Sequence, residues 1–340
     1  MVIVIGASGF IGSYLVDRLI SEGISVLATG RNTLAKAHYE SRNVPFIHLN
    51  IAERKDFEKM PERGVEAVIL LAAALPANMQ DYNPSEYILT NAMGTLNVAE
   101  FCRRTNVRKL ISTTTYADVQ NLWDENRPIK DSDERNFKYS GDHAMYVISK
   151  NCATDIIEHY SQQYGMDGVV ARLPMVYGAG PHGSIYVDGN YYKSGIQTFI
   201  EKAIEGKPLE IWGDGKVARD IVYVKDVVKA FVLALKSNNA RGVYNIASGV
   251  AVPLIDVARE VIDVFSSIVK KSEIVFVDKP CPAQSFVFDI EKAKKDFGYV
   301  PDFVPFRKML LDYKREIELS RFEHLTEGRP KDESQTKAGR

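Results

Sequence analysis

The chain has 340 residues, 45% hydrophobic and 26% charged, the composition of a globular protein with a sizeable core. Its formal net charge of -1 leaves no basic footprint for nucleic acid or anionic lipid. No apolar run reaches the roughly 18 residues of a membrane span, and the three scattered cysteines, Cys102, Cys152 and Cys281, argue against a disulfide framework and suit a reducing cytosol. The six histidines lack metal-ligand spacing, so no metal site is expected. An apolar strand starting at residue 2 leaves no space for a signal peptide, and a cytoplasmic protein is expected.

In chain order, VIVI (2–5) reads as a strand and FIGSYLVDRLISEG (10–23) as a helix ending at a glycine. Strands follow at 24–30 and 44–50, with an unbroken apolar one at 66–74. A long helix is predicted over 84–106, a strand over 107–113, a helix over 144–165 and a strand over 168–173. This alternation predicts an α/β protein with a Rossmann-type doubly wound parallel sheet. After residue 174 a segment rich in Gly, Pro and Tyr reads as a long loop. Helices at 194–206, 225–237, 253–268, 289–297 and 305–323, with strands at 209–213, 243–248 and 272–278, predict a smaller C-terminal α/β lobe. The expected division is a dinucleotide-binding domain over 1–174 with a returning segment near 215–250, and a substrate lobe mainly over 175–323. A disordered polar tail is expected at 325–340.

Three glycines, Gly6, Gly9 and Gly12, lie between the first strand and first helix. Gly6 permits a tight turn, Gly9 a close backbone approach to a pyrophosphate, and Gly12 close packing of helix on strand. The helix N-terminus then faces the phosphates, and Ser8 adds a hydroxyl. The second strand ends ATGRN, with Gly30 and Arg31 where an acidic side chain would bind the ribose of NAD. The planar fork of Arg31 suits a 2′-phosphate, which favours NADP(H) while leaving NAD(H) possible.

Tyr146 and Lys150, in HAMYVISKN, are four residues apart and share one helical face. A lysine cation there is expected to lower the phenol's pKa, and such a phenol exchanges a proton with a substrate oxygen while hydride moves at carbon. The fifth strand ends in the hydroxyl cluster Ser112, Thr113, Thr114 and Thr115. In an open α/β sheet ligands sit at that end, and a hydroxyl there can bond the substrate oxygen beside the tyrosine.

Across roughly residues 1–312 the chain resembles the extended short-chain dehydrogenase/reductases, the nucleotide-sugar epimerase, dehydratase and reductase group. The matching segments are GASGFIG, LLAAALP (70–76), NAMGTLNVAEFCR (91–103), YVISK, RLPMVYGAG (172–180), GDGKVARDIVYVKDVVKA (213–230) and GVYNIASG (242–249). The resemblance implies that Tyr146 is the acid/base and that Lys150 binds the nicotinamide ribose. It also implies Thr113 as the hydroxyl partner, with Thr114 the alternative. Phe10, Ile11, Asn32, Asn50, Ile51, Leu71, Ala72, Ala73, Ala74, Asn91, Pro174 and Val176 are implied to line the cofactor. Thr114, Met175, Arg219 and Gln284 are implied on the substrate side, with Arg219 at the nucleotide diphosphate.

Four departures matter. Thr114 and Thr115 stand where dehydratases carry Asp-Glu, which disfavours elimination. Met175 replaces a frequent asparagine, KPCPAQ replaces Arg-Pro-Gly-Asp near residue 280, and Asn50 replaces an acidic residue. NADPH-dependent reduction of a 4-keto sugar nucleotide is the leading expectation, and C4 epimerisation of a UDP-sugar with NAD the alternative. A reductase of simpler ketones or aldehydes and a non-catalytic dinucleotide sensor rank lower. The family resemblance also implies a homodimer built on the helices at 84–104 and 144–165.

Overall fold

The computed structural model describes residues 1–79, 81–141, 143–180, 184–187 and 190–320. The tail expected to be disordered, 325–340, lies outside the described residues. The first half runs β1 (Val2–Ile5), α1 (Phe10–Ser21), β2 (Val26–Gly30), α2 (Leu34–Glu40), β3 (Phe46–His48) and β4 (Ala67–Leu70). The predicted long helix has three parts: α3 (Pro84–Tyr87), a π-helical stretch over Ile88–Met93, and α4 (Gly94–Arg104). β5 (Lys109–Thr115), α5 (Ala144–Tyr164) and β6 (Asp167–Leu173) follow.

Past residue 174 come β7 (Met175–Tyr177), β8 (Ser184–Val187), β9 (Asn190–Lys193), α6 (Gly195–Glu205), β10 (Leu209–Trp212) and β11 (Ala218–Tyr223). Then come α7 (Val224–Lys236), β12 (Gly242–Asn245), β13 (Ala251–Pro253), α8 (Leu254–Phe265), β14 (Ile274–Val277), α9 (Glu291–Phe297) and α10 (Phe306–Leu319).

Seven parallel strands form the main sheet in the order β12-β6-β5-β4-β1-β2-β3. Strand alternation sends Val2 and Val4 to the face covered by Leu15 and Leu19 of α1 and Val227 and Phe231 of α7. Ile3 and Ile5 point to the opposite face, with Val98 and Phe101 of α4 and Ile157 of α5. Burial on both faces explains why these strands read as unbroken apolar runs. Chain order reverses between β1 and β4, so the carboxyl ends of these strands flank the crevice where such sheets bind ligands.

The second part holds a three-stranded sheet β13-β11-β7, the parallel pair β10-β14 and the hairpin β8-β9. The long loop expected after residue 174 therefore contains three strands. β7 is only three residues long and pairs with β11, far ahead in sequence, so local pattern did not reveal it. Lone bridges from Ile129 to Phe288 and from Arg219 to Phe286 bring the 284–288 segment against both parts.

Candidate active site

The glycine loop is set by contact. Gly6 has φ of +90°, and a Cβ on it would stand 2.6 Å from the Ala72 nitrogen. A Cβ on Gly12 would stand 2.2 Å from the Gly6 carbonyl oxygen, so α1 packs against the loop only without a side chain there. The Gly6 and Ala7 N–H groups both donate to the Thr29 carbonyl at 2.9 Å. Gly9 caps α1 without a side-chain hydrogen bond, so the helix end presents backbone donors and a positive dipole. Ser8 is buried, and its hydroxyl lies 3.2 Å from where a Gly30 side chain would begin. A cradle closed to side chains, with backbone donors and a hydroxyl, fits a pyrophosphate. Tyr39 of α2 donates to the Ala7 carbonyl at 2.6 Å and stacks on Phe46 with centroids 6.0 Å apart. That support was not legible in the sequence, where α2 itself went unread.

Around the cradle, Phe10 and Ile11 open α1, and Phe10 meets Tyr14 edge-on. Leu71 and Ala72 donate to the Ile5 carbonyl at 2.8 and 3.0 Å, which draws the residues after β4 beside Gly6. Ala73 is half-buried, Ala74 and Pro174 are buried, and Val176 pairs with Val222 of β11. Arg31 projects from the end of β2 and is 59% exposed, with Nη1 3.4 Å from Glu86 Oε1.

Other residues implied at the cofactor make contacts within the chain. Asn32 accepts from the Leu34 N–H at 3.0 Å, just ahead of α2. Asn50 accepts from the Ala52 N–H at 3.2 Å in a turn. Ile51 is core, packed on Gly94 of α4, with its carbonyl accepting from Asn97. Asn91, in the π-helical stretch, is buried; its Oδ1 accepts from the Ala74 N–H at 2.8 Å. Its Nδ2 donates to the Ala74 carbonyl at 3.1 Å and the Ser149 hydroxyl at 2.9 Å, which ties the loop after β4 to α5.

Tyr146 and Lys150 occupy the first turns of α5. Lys150 is buried, and its ammonium donates to Thr113 Oγ1 at 3.4 Å. Burial lowers the Lys150 pKa to about 8. The Tyr146 phenol is pushed above the ordinary phenol range by burial first, then by Tyr116 and Tyr87, while a hydrogen bond with the Thr115 side chain pulls the other way. The expected lowering by Lys150 is thus overturned: desolvation dominates, and the phenol stays protonated at neutral pH. The alternation of β5 puts Thr113 and Thr115 on one face and Thr114 on the other. Thr114 is buried, and its hydroxyl has no partner among the described residues. The structure therefore brings Thr113 to Lys150 and Thr115 to Tyr146. It does not bring Thr114, proposed as catalytic and substrate-binding, to that face.

Arg219, Met175 and Gln284 meet one another. Arg219 Nε donates to the Gln284 carbonyl at 3.0 Å, Nη1 lies 3.8 Å from the Met175 sulfur, and the guanidinium sits 5.9 Å from the Phe286 ring. Gln284 Nε2 donates to Asp124 at 3.1 Å. Tyr116, directly after Thr115, stacks on Trp123 at 5.2 Å, and both rings touch Phe286. Single aromatics so far apart in the chain carried no signal of this cluster. A buried ion pair pins the corner: Arg172 Nε donates to Asp118 Oδ1 at 2.8 Å and Nη1 to Asn245 Oδ1 at 3.0 Å. Among the described residues no group of His, Cys, Asp and Glu is arranged to hold a metal, and no helix is long and apolar enough to cross a membrane.

A parallel sheet in this order, a glycine cradle after its first strand and a Tyr–Lys pair on the helix after its fifth define an enzyme of the extended short-chain dehydrogenase/reductase type. The chain belongs to the NAD dependent epimerase/dehydratase family, whose model matches residues 2–247. It is 28% identical over 311 residues to a putative UDP-glucose 4-epimerase of Methanocaldococcus jannaschii, covering 89% of this chain and 93% of that protein. It is 29% identical over 312 residues to UDP-glucuronic acid decarboxylase 1 of Arabidopsis thaliana, covering 88% of this chain and 66% of that protein. Among solved structures it is similar to the UDP-glucose 4-epimerase of Thermotoga maritima with UDP-glucose, at a TM-score of 0.77 and 25% identity over 94% of this chain and 99% of the other. The UDP-glucose 4-epimerase of Thermus thermophilus in complex with NAD gives a TM-score of 0.73 at 25% identity, over 92% and 98%.

Proposed function

We propose that the chain is an NADP(H)-dependent reductase of a 4-keto nucleotide sugar, with Tyr146 as general acid. One observation carries the reading: the Tyr146 phenol stands one helical turn from Lys150, with hydroxyls rather than carboxylates beside the pair. When bound, the nicotinamide supplies the hydride to the keto carbon. Tyr146 gives its proton to the keto oxygen as that oxygen gains charge, and Thr115 bonds the phenol oxygen left behind. Lys150 supplies a positive charge one helical turn from Tyr146, and its ammonium donates to Thr113. Arg219, which meets Met175 and Gln284, binds the diphosphate. Thr114 and Thr115 supply no carboxylic acid for elimination. The nearby Asp118 is held by Arg172.

Arg31 supports NADP(H), since its exposed fork suits a 2′-phosphate. The main sheet is read as the cofactor-binding body and the part after β7 as the substrate lobe. The helical segments 84–104, made of α3, the π-helical stretch and α4, and 144–165, which is α5, are read as the face of a homodimer.

A second reading, C4 epimerisation of a UDP-sugar with retained NAD, uses the same residues. It is favoured by the similarity to UDP-glucose 4-epimerases along most of the chain. The test is to identify the cofactor that co-purifies and to assay both reactions. NADPH oxidation driven by a 4-keto nucleotide sugar supports the first reading. Interconversion of UDP-glucose and UDP-galactose without added cofactor overturns it in favour of the second. In either case Tyr146→Phe should abolish turnover and leave cofactor binding intact.

A further inference from the structure

The Arg31–Glu86 pair joins two segments 55 residues apart, at the corner where this fold meets the adenosine ribose. Arg31 follows the last residue of β2, and Glu86 stands in α3. The Glu86 oxygen that faces Arg31 also accepts from the Thr90 hydroxyl at 3.0 Å. Thr90 is buried, so the carboxylate has a fixed anchor, whereas the Arg31 side chain is 59% exposed and reaches it at 3.4 Å. The acid, 36% exposed, has a second and buried partner, and the base is the more exposed of the two.

We propose that Glu86 is a cofactor-specificity residue: it competes with the 2′-phosphate of NADP(H) for Arg31 and so narrows the preference over NAD(H). The inference rests on the reading of Arg31 as the 2′-phosphate ligand. A 2′-phosphate that docks on Arg31 places a second anion close to the Glu86 carboxylate, and like charges at that spacing repel. The phosphate must also take the guanidinium from its present partner. An exposed pair of this length is weak, so the exchange is reversible and modest in size. The ribose of NAD(H) carries a neutral hydroxyl at that place, which the carboxylate does not repel.

The test is a binding titration of the full chain with NADPH and with NADH, by calorimetry at low salt, on wild type, Glu86→Gln, Arg31→Ala and the double variant. Glu86→Gln keeps the shape and the bond from Thr90 and removes only the charge. NADPH is expected to bind it about two- to fivefold more tightly, with NADH unchanged and the gain shrinking as salt rises. Arg31→Ala should weaken NADPH selectively, and adding Glu86→Gln to it should restore no more than a small, salt-screened part of the gain. If Arg31→Ala weakens NADPH but Glu86→Gln leaves the NADPH-to-NADH ratio unchanged, lowers it, or tightens both ligands equally, this inference is overturned alone. If Arg31→Ala leaves NADPH binding untouched, the cofactor reading fails and this inference falls with it.

Discussion

At the scale of single residues, Tyr146 and Lys150 show how burial reorders an argument made from spacing. A lysine one helical turn from a tyrosine predicts a lowered phenol pKa, yet with Lys150 buried and Tyr146 half-buried, desolvation is the first cause at both groups, raising the phenol and lowering the lysine. The free enzyme therefore holds an acid at Tyr146 and a lysine that loses its proton near pH 8. Cofactor affinity is expected to fall as pH rises through about 8, and Lys150→Met should flatten that profile in a fluorescence titration. The stability sign is opposite. The unfolded lysine holds its proton up to the ordinary value of 10.5, so this group's contribution to folding stability rises from about 8 toward 10.5. The hydroxyls divide as cleanly. Thr115→Val should lower kcat by about tenfold or more, as expected when one hydrogen bond to a reacting group is lost. Thr114→Val, on the other face of β5 with an unpartnered hydroxyl, should leave kcat within about twofold and leave stability unchanged or raised. Steady-state kinetics and urea midpoints on the two variants check this. Equal losses in kcat would mean that the phenol takes its partner from elsewhere.

At the scale of elements, the cradle is built by three neighbours. β1 delivers the glycines, the backbone after β4 presses against Gly6, and α2 sends Tyr39 under the loop. Tyr39→Phe leaves the Ala7 carbonyl without its donor while keeping the stack on Phe46. A loss of about 1–3 kcal/mol is expected in urea unfolding, with weaker dinucleotide binding. The π-helical stretch over Ile88–Met93 contains Asn91, whose amide joins Ala74 to Ser149 on α5. A continuous helix was the natural reading of that segment, because apolar periodicity does not register one extra residue per turn. Within that irregularity one side chain joins the loop after β4 to the helix that carries Tyr146.

At the scale of the whole molecule, the corner between the two parts is closed by ions out of water. Arg172 at the end of β6 grips Asp118 beyond β5 and Asn245 of β12, and Asn245 in turn donates to the Ile129 and Asp289 carbonyls. This network joins the end of β6, just before Met175, to β12 and to the segment after β5. Arg172→Met leaves Asp118 buried without its partner, and a destabilisation of about 3–5 kcal/mol is expected. Asp118→Leu added to it should recover much of that loss, read from denaturant midpoints. Recovery of stability without recovery of activity would show that the pair serves positioning.

The sequence alone determined the sheet, the cradle and the Tyr–Lys pair. Each rests on local periodicity or on a short motif whose parts are neighbours in the chain. Arg31 at the end of β2 was legible for the same reason. Tertiary structure decided the rest. Which threonine faces the phenol followed from the phase of β5 against α5. The direction of both pKa shifts followed from how much water remains. Tyr39, Glu86, Arg172 and Phe286 of the aromatic cluster meet partners far away in the chain, and a linear pattern carries no record of such meetings. Burial and long-range contact are properties of the packed chain, and it was these that converted a recognisable set of motifs into a particular arrangement of charges and hydroxyls.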